Sequence, residues 1–290
     1  MRDANLKVMG ILLTGFFVGQ NPCGVLANER PEITGQMESR YIWETDVDAQ
    51  SGQISVSETK ASVGYDSKFE NGMPISFSIS GRHTDIKSDV PVFLPSHLAA
   101  LSFSAGVKIP APFTASQNYF LGLDIMPSMY SDGWDNFSSD TFRIPIRSYL
   151  IYRRDENFIV FAGASIRPDF DTKILPLLGI IYRPNQYWEI NMASDNPQII
   201  YHASEKTKLI LEADIINDEY ELTGSGNKGR VLFYRELSAG LGIQHQFTKN
   251  VSGLVSAGSV FKRMLRYEDD NGKVMPDQGL YVKARVQFNF

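Results

Sequence analysis

Residues Gly279–Phe290 read GLYVKARVQFNF. Leu280, Val282, Ala284, Val286, Phe288 and Phe290 fall on one side of an extended chain, and Tyr281, Lys283, Arg285, Gln287 and Asn289 on the other. Successive β side chains point to opposite faces, so this unbroken period of two predicts a strand with one apolar and one polar face. A tilted strand of roughly 9–11 residues crosses a bilayer, and the stretch is long enough. A hairpin strand of a soluble sandwich would carry the same pattern. The alternative is the closing strand of an outer-membrane barrel, with its apolar face toward lipid and its polar face toward the lumen.

The start of the chain favours export. Arg2 and Lys7 precede a short apolar run, Val8 to Val18, and a polar segment leads to Val25-Leu26-Ala27. That order of basic, apolar and small residues reads as a secretory signal peptide cleaved after Ala27. The run is shorter than the ~20 residues of a spanning helix. The single cysteine, Cys23, lies inside this segment, so the mature chain has no disulfide and no thiolate chemistry. Residues 1–27 carry Arg2, Lys7 and Asp3, a net of +1, and their removal takes the formal charge from −5 to −6. A mildly acidic chain without a basic block argues against nucleic acid as a partner.

Residues 28–35 read as a polar periplasmic tail, and 36–290 as one barrel domain. Alternating segments recur through the latter. Thr59, Ala61, Val63 and Tyr65 oppose Lys60, Ser62, Gly64 and Asp66. Ile75, Phe77 and Ile79 oppose three serines; Phe103, Ala105, Val107 and Ile109 oppose Ser102, Ser104, Gly106 and Lys108. Leu121, Leu123 and Ile125 oppose Gly122 and Asp124; Phe142, Ile144 and Ile146 oppose Arg143 and Arg147; Ala164 and Ile166 oppose Ser165 and Arg167. Leu211, Ala213 and Ile215 oppose Glu212 and Asp214, and Leu237 to Ile243 oppose Glu236 and a run of Ser and Gly. Val251–Arg263 alternates less well. Small and polar residues fill the opposing face, as suits a crowded lumen. Tyr119, Tyr130, Tyr152, Trp188, Phe247 and Phe290 sit near segment ends, where interface girdles belong. Counting back from Phe290, connections alternate short and long, as periplasmic turns and extracellular loops do. The prediction is an all-β antiparallel transmembrane barrel of about 12–14 strands. The higher count requires Trp188–Ala193 and Pro197–Ser204 to be two short strands.

Leu175-Pro-Leu-Leu-Gly-Ile-Ile-Tyr-Arg-Pro-Asn185, Trp188-Glu-Ile190 and Pro197-Gln-Ile-Ile-Tyr201 resemble a family of secreted bacterial proteins known as domain-of-unknown-function family 6268, grouped with outer-membrane barrels. The resemblance covers roughly Glu58 to Phe290. It implies a barrel in the outer membrane and supplies no activity, substrate or functional residue.

Motifs for other chemistry are weak. Gly224-Ser-Gly-Asn-Lys-Gly229 matches G-x-G-x-x-G but is followed by strand-like residues instead of a helix. Glu268-Asp-Asp-Asn-Gly272 lacks the closing carboxylate of a calcium loop. His83, His97, His202 and His245 show no metal-ligand spacing along the chain, so no metal or cofactor is expected, and the reading is not that of an enzyme. The expected lumen-lining charges are Lys60, Lys108, Asp124, Arg143, Arg147, Arg167, Glu212, Asp214, Glu236, Lys283 and Arg285. They either pair and plug a narrow barrel or line a channel that filters small polar solutes. A passive channel is the first expectation. A closed barrel with a structural or interaction role is the second, and a rim hydrolase the third. Expected partners are outer-membrane lipid, the barrel-assembly machinery reading the terminal Phe290, and small polar solutes.

Overall fold

The computed structural model describes residues 31–290 apart from 48–50, 70–71, 115–117, 169, 193–195, 225–227 and 270–271. The Ala27 cleavage site and the middle of the Gly-rich 224–229 segment lie outside the described residues. The rest folds as a closed antiparallel barrel of fourteen strands. In chain order these are β1 (Glu32–Asp46), β2 (Gln53–Lys68), β3 (Pro74–Ser88), β4 (His97–Pro110), β5 (Tyr119–Ile125 and Ser128–Ser131) and β6 (Phe142–Arg143 and Ile146–Asp155). Then come β7 (Phe158–Ile166), β8 (Ile174–Tyr182), β9 (Trp188–Asn191), β10 (Gln198–His202), β11 (Thr207–Leu222), β12 (Arg230–Gln246), β13 (Val251–Tyr267) and β14 (Lys273–Val274 and Gly279–Asn289). The two short strands of the higher count are both present, as β9 and β10. The first strand begins at Glu32, so four residues read as periplasmic tail belong to the wall.

Closure is made by β1 against β14, from Thr34 opposite Asn289 to Ile42 opposite Tyr281. Beyond that ladder Ile33 and Phe290 exchange backbone bonds of 2.9 and 2.8 Å. A barrel without free edges satisfies every wall amide within the wall, which lipid demands. Pro127 and Pro145 interrupt β5 and β6, because proline has no N–H to give the ladder. Both carbonyls still serve it: Phe103 N–H donates to Pro127 and Met126 N–H to Pro145, each at 2.9 Å.

Strand length divides the wall. β11, β12 and β13 have 16, 17 and 17 residues, β7 and β8 have 9, and β9 and β10 have 4 and 5. At about 3.4 Å per residue and a tilt near 40°, seventeen residues rise roughly 44 Å and nine about 23 Å. The apolar band of such barrels is only about 25 Å tall, so the long strands project beyond the membrane on the extracellular side. At that height β7 to β10 have ended, and the wall closes by a shortcut. The top of β5 meets the top of β11 in a parallel bridge, Ser131 opposite Glu221. The barrel is therefore wide at membrane level and narrow above it.

Candidate lumen and charged belt

Register fixes which side chains point inward. At membrane level the outward set includes Val63, Phe77, Phe103, Leu123, Leu178, Leu241, Val255 and Leu280, all exposed. This is the lipid face. The inward set at the same level includes Ser62, Ser76, Ser80, Ser104, Gly106, Gln244 and Gln287, with Ser78 and Ser104 hydroxyls 2.7 Å apart.

Above this polar side of the lumen the inward residues become charged, and they meet across it. Arg40 Nη1 lies 2.6 Å from Glu236 Oε1, and Glu236 Oε2 takes a hydrogen bond from the Tyr234 hydroxyl at 2.9 Å. Lys283 Nζ is 2.6 Å from Glu212 and 3.2 Å from Asp214. That pairing spans from β14 to β11 over the small residues Ser256, Gly240 and Ser238. Ser256 adds a 2.8 Å bond to Glu212. Arg285 grips Glu38 at 2.6 Å, and Lys60 reaches Glu58 at 2.9 Å and Glu38 at 3.8 Å. Arg82 on β3 pairs with Asp218 on β11 and donates to the Tyr220 hydroxyl at 2.8 Å. The side chains of Arg263, Lys283, Glu212 and Glu236 are 0% accessible to solvent. A residue lining a water-filled pore would be reached by water, so the belt is shut in this conformation.

Above the belt the lumen is apolar. Ile42, Ile54, Val56, Ile86, Leu98, Ile216, Leu222, Leu232, Val260, Leu265 and Val274 form one buried cluster. Val90, Val92 and Leu94, from the loop between β3 and β4, pack onto it, and the Tyr267 hydroxyl holds that loop through the Phe93 carbonyl at 2.8 Å. The expectation of a polar lumen throughout is corrected here: even at membrane level it holds only for part of the wall, since Tyr149, Ile151, Phe161, Leu177 and Ile181 pack inward on β6–β8, and Ile200, Ile210 and Leu254 on β10, β11 and β13. Tyr130 is corrected as well. It faces Arg82 and Ala100 on the inside, edge-on to Phe170 and Tyr220 at 5.8 and 5.7 Å, and is not part of a girdle. Tyr119 with Tyr152 (5.0 Å) and Trp188 with Tyr201 (4.9 Å) do pair near the periplasmic ends of their strands.

The expected charges separate into two groups. Lys60, Glu212, Asp214, Glu236, Lys283 and Arg285 belong to the belt. Lys108 and Asp124 are buried lower on β4 and β5, and Arg147 stands opposite Asp124. Arg143 and Arg167 are elsewhere: Arg143 pairs with Glu221 at 3.2 Å where the upper wall closes, and Arg167 donates to the Asn217 carbonyl at 3.1 Å and covers the Phe170 ring at 3.6 Å. They do not reach Glu212, Asp214 or Glu236. The cations that do are Lys283, Arg285, Arg40 and Arg263. Glu38, Arg40, Glu58, Arg82, Asp218 and Arg263 were missed. Arg263 hides behind a β-bulge, where Leu237 pairs with Lys262 but Ser238 with Val260; the extra residue shifts the inward parity and blurs the alternation of β13.

A fourteen-strand wall with this lumen can be placed among known proteins. The family described as "Domain of unknown function (DUF6268)" matches residues 101–289. The chain belongs to that family. Among solved structures, this DUF6268 barrel is similar to the COG4313 outer membrane channel from Pseudomonas putida F1, at 10% identity and a TM-score of 0.54, over 93% of this chain and 100% of that one. A Pseudomonas aeruginosa FadL homologue aligns at 7% identity and a TM-score of 0.49 over 92% of both chains. The Pseudomonas putida toluene transporter TodX aligns at 9% and 0.41, over 95% of this chain and 94% of that one. The first of these shows a shared outer-membrane barrel fold. No protein of curated description matches the sequence.

Proposed function

We propose that the protein is an outer-membrane channel for small polar solutes, closed in this conformation by the charged belt and the apolar layer above it. The observation that carries this reading is the membrane-level lumen. On β2–β4, β12 and β14 it is lined by Ser62, Ser76, Ser78, Ser80, Ser104, Gln244 and Gln287, while apolar clusters occupy β6–β8 and β10, β11 and β13. Small hydroxyls and amides favour water and polar solutes over a dry core. The likeness in fold to a protein named as an outer membrane channel supports the reading. A passive, permanently open pore is not favoured, because fully buried ion pairs stand across its path. The mature chain begins at Asn28, and Phe290 is the feature that the assembly machinery reads.

A second reading is a permanently closed barrel with a structural or interaction role, favoured by the apolar cluster above the belt. Single-channel conductance of the refolded mature protein separates the two. The wild type should give rare, small openings. Replacing Arg82 and Asp218 together by serine removes one crossing of the lumen and should raise conductance several-fold. If both proteins insert fully, by heat-modified gel mobility, and neither passes current, the channel reading fails and the closed barrel stands.

A further inference from the structure

The strongest unassigned cluster lies outside the lumen. β3 and β4 are registered so that Asp85 stands opposite His97 and His83 opposite Ala99. His83, Asp85 and His97 therefore share the outward face, above the last lipid-facing residue of β3, Ile79. His83 Nε2 and His97 Nδ1 lie 3.2 and 2.7 Å from the same Asp85 oxygen, Oδ1. One ligand atom from each residue falls within 4.8 Å of the others. Ligands sharing a tetrahedral ion at ~2.0–2.1 Å would sit roughly 3.3 Å apart, so a modest rotation of exposed rings closes the set. Spacing along the chain concealed it, because the ligands meet across a hairpin.

The neighbourhood holds the cluster in place. Trp134, from the loop between β5 and β6, runs nearly parallel to the His83 ring at 6.3 Å, and His83 to His97 at 5.6 Å. The Trp134 indole N–H donates to His83 Nδ1 at 3.2 Å. Gly81, two residues below His83 on the same face, leaves space for the indole: a Cβ there would lie 3.1 Å from its edge. That bond fixes the orientation of the His83 ring. With Nδ1 accepting, the ring proton of neutral His83 sits on Nε2, toward Asp85. A cation taking Nε2 needs the other neutral tautomer, so the ring proton moves by way of solvent to Nδ1 and the indole N–H turns to water.

We propose that His83, Asp85 and His97 bind a borderline divalent transition-metal ion of the Zn2+ class on the extracellular rim. Two imidazole nitrogens and one carboxylate oxygen suit such ions, and water completes the coordination. The site is independent of whether the lumen conducts.

The test uses the refolded mature barrel in detergent, without a polyhistidine tag, titrated with Zn2+ by calorimetry. Ni2+ serves as a second probe, read through tryptophan fluorescence. One equivalent of Zn2+ should bind saturably, and His83→Ala or His97→Ala should each weaken it about tenfold or more. Ni2+ should quench a component of the emission that Trp134→Phe removes while one-equivalent Zn2+ binding persists. The double variant His202→Ala/His245→Ala should bind like wild type. Gel mobility checks folding, and His97→Gln, at a side chain 54% exposed, gives a variant that packing does not need. Absence of one-equivalent binding, or undiminished binding by His83→Ala/His97→Ala, overturns the proposal.

Discussion

Strand β12 changes its habit part-way along. Toward the periplasm it turns Leu237, Leu241 and Ile243 to lipid and Gly240, Gly242 and Gln244 to the lumen. Past Glu236 it turns Arg235 outward and Tyr234 and Leu232 inward. β2 does the same, with Val63 and Tyr65 outside below Glu58 and Val56 and Ile54 inside above it. β11 follows, with Leu211 and Ile215 outside, then Ile216, Tyr220 and Leu222 inside. The lower half is a membrane barrel and the upper half is built like a water-soluble one. The medium outside the wall decides which face is apolar. Lipid demands an apolar exterior and leaves the interior to polar groups; water permits a polar exterior and rewards an apolar core. The ion-pair belt sits at the changeover, where neither arrangement applies.

The comparison is sharpest where one charge is placed inside each half. Leu232 is fully buried in the upper cluster, so Leu232→Asp buries an unpaired carboxylate and should cost about 4 kcal/mol or more. The folded, heat-modifiable band should disappear. Ser80→Asp places the same group inward at membrane level, near Lys60 and Arg82, and should change stability by no more than about 1 kcal/mol. Urea titration of both variants in lipid vesicles measures the difference. Equal losses would mean that the two interiors are alike.

The belt should come next. Lys283 is the cation shared by Glu212 and Asp214. Lys283→Met leaves both carboxylates without it and should cost about 3–5 kcal/mol, while adding Glu212→Gln and Asp214→Asn should recover much of that loss. The same urea titration serves. A triple variant no better than the single one would assign Lys283 a packing role instead of an electrostatic one.

This inversion also explains what was legible in the sequence. The period of two is strong where the outward face is apolar, and it gave the barrel, the short strands β9 and β10 and the direction of the turns. The alternation with an apolar outward face ends close to the belt, near Glu58, Gly81, Ile215 and Glu236. There the apolar residues pass from one parity to the other without any turn residue, so a continuous strand reads as strand then loop. Glu38 and Arg40 lie on β1, whose alternation is weak, and Arg263 lies behind its bulge. The His83–Asp85–His97 cluster needed cross-strand register, which spacing along the chain does not carry.

The smallest effect expected is at the top of the upper half, where β5 and β11 are joined through one carboxylate. Asp132 accepts hydrogen bonds from the Thr223 hydroxyl at 2.9 Å, the Gly224 N–H at 3.0 Å, the Thr223 N–H at 3.2 Å and the Asn136 amide at 2.9 Å. Burial pushes this carboxyl up, but the donors from Gly224, Thr223 and Asn136 outweigh it and hold it below the usual carboxylate range. A carboxylate depressed on folding stabilises fully above its unfolded pKa, near ~3.9, and that contribution fades as pH falls through the folded value. The clamp should therefore be intact from about pH 5 upward and lost in stronger acid. The group is largely solvated, so Asp132→Asn should cost only about 1 kcal/mol at neutral pH after solvent screening. Hydrogen exchange reads it locally. In acid, and in Asp132→Asn at neutral pH, the Thr223 and Gly224 amides should lose protection relative to intrinsic rates, while the β1–β14 ladder at membrane level keeps its own. Loss in both places together would mean that the upper ring and the membrane barrel open as one unit; loss in neither would mean that the Ser131–Glu221 bridge and the Arg143–Glu221 pair close the upper wall without Asp132.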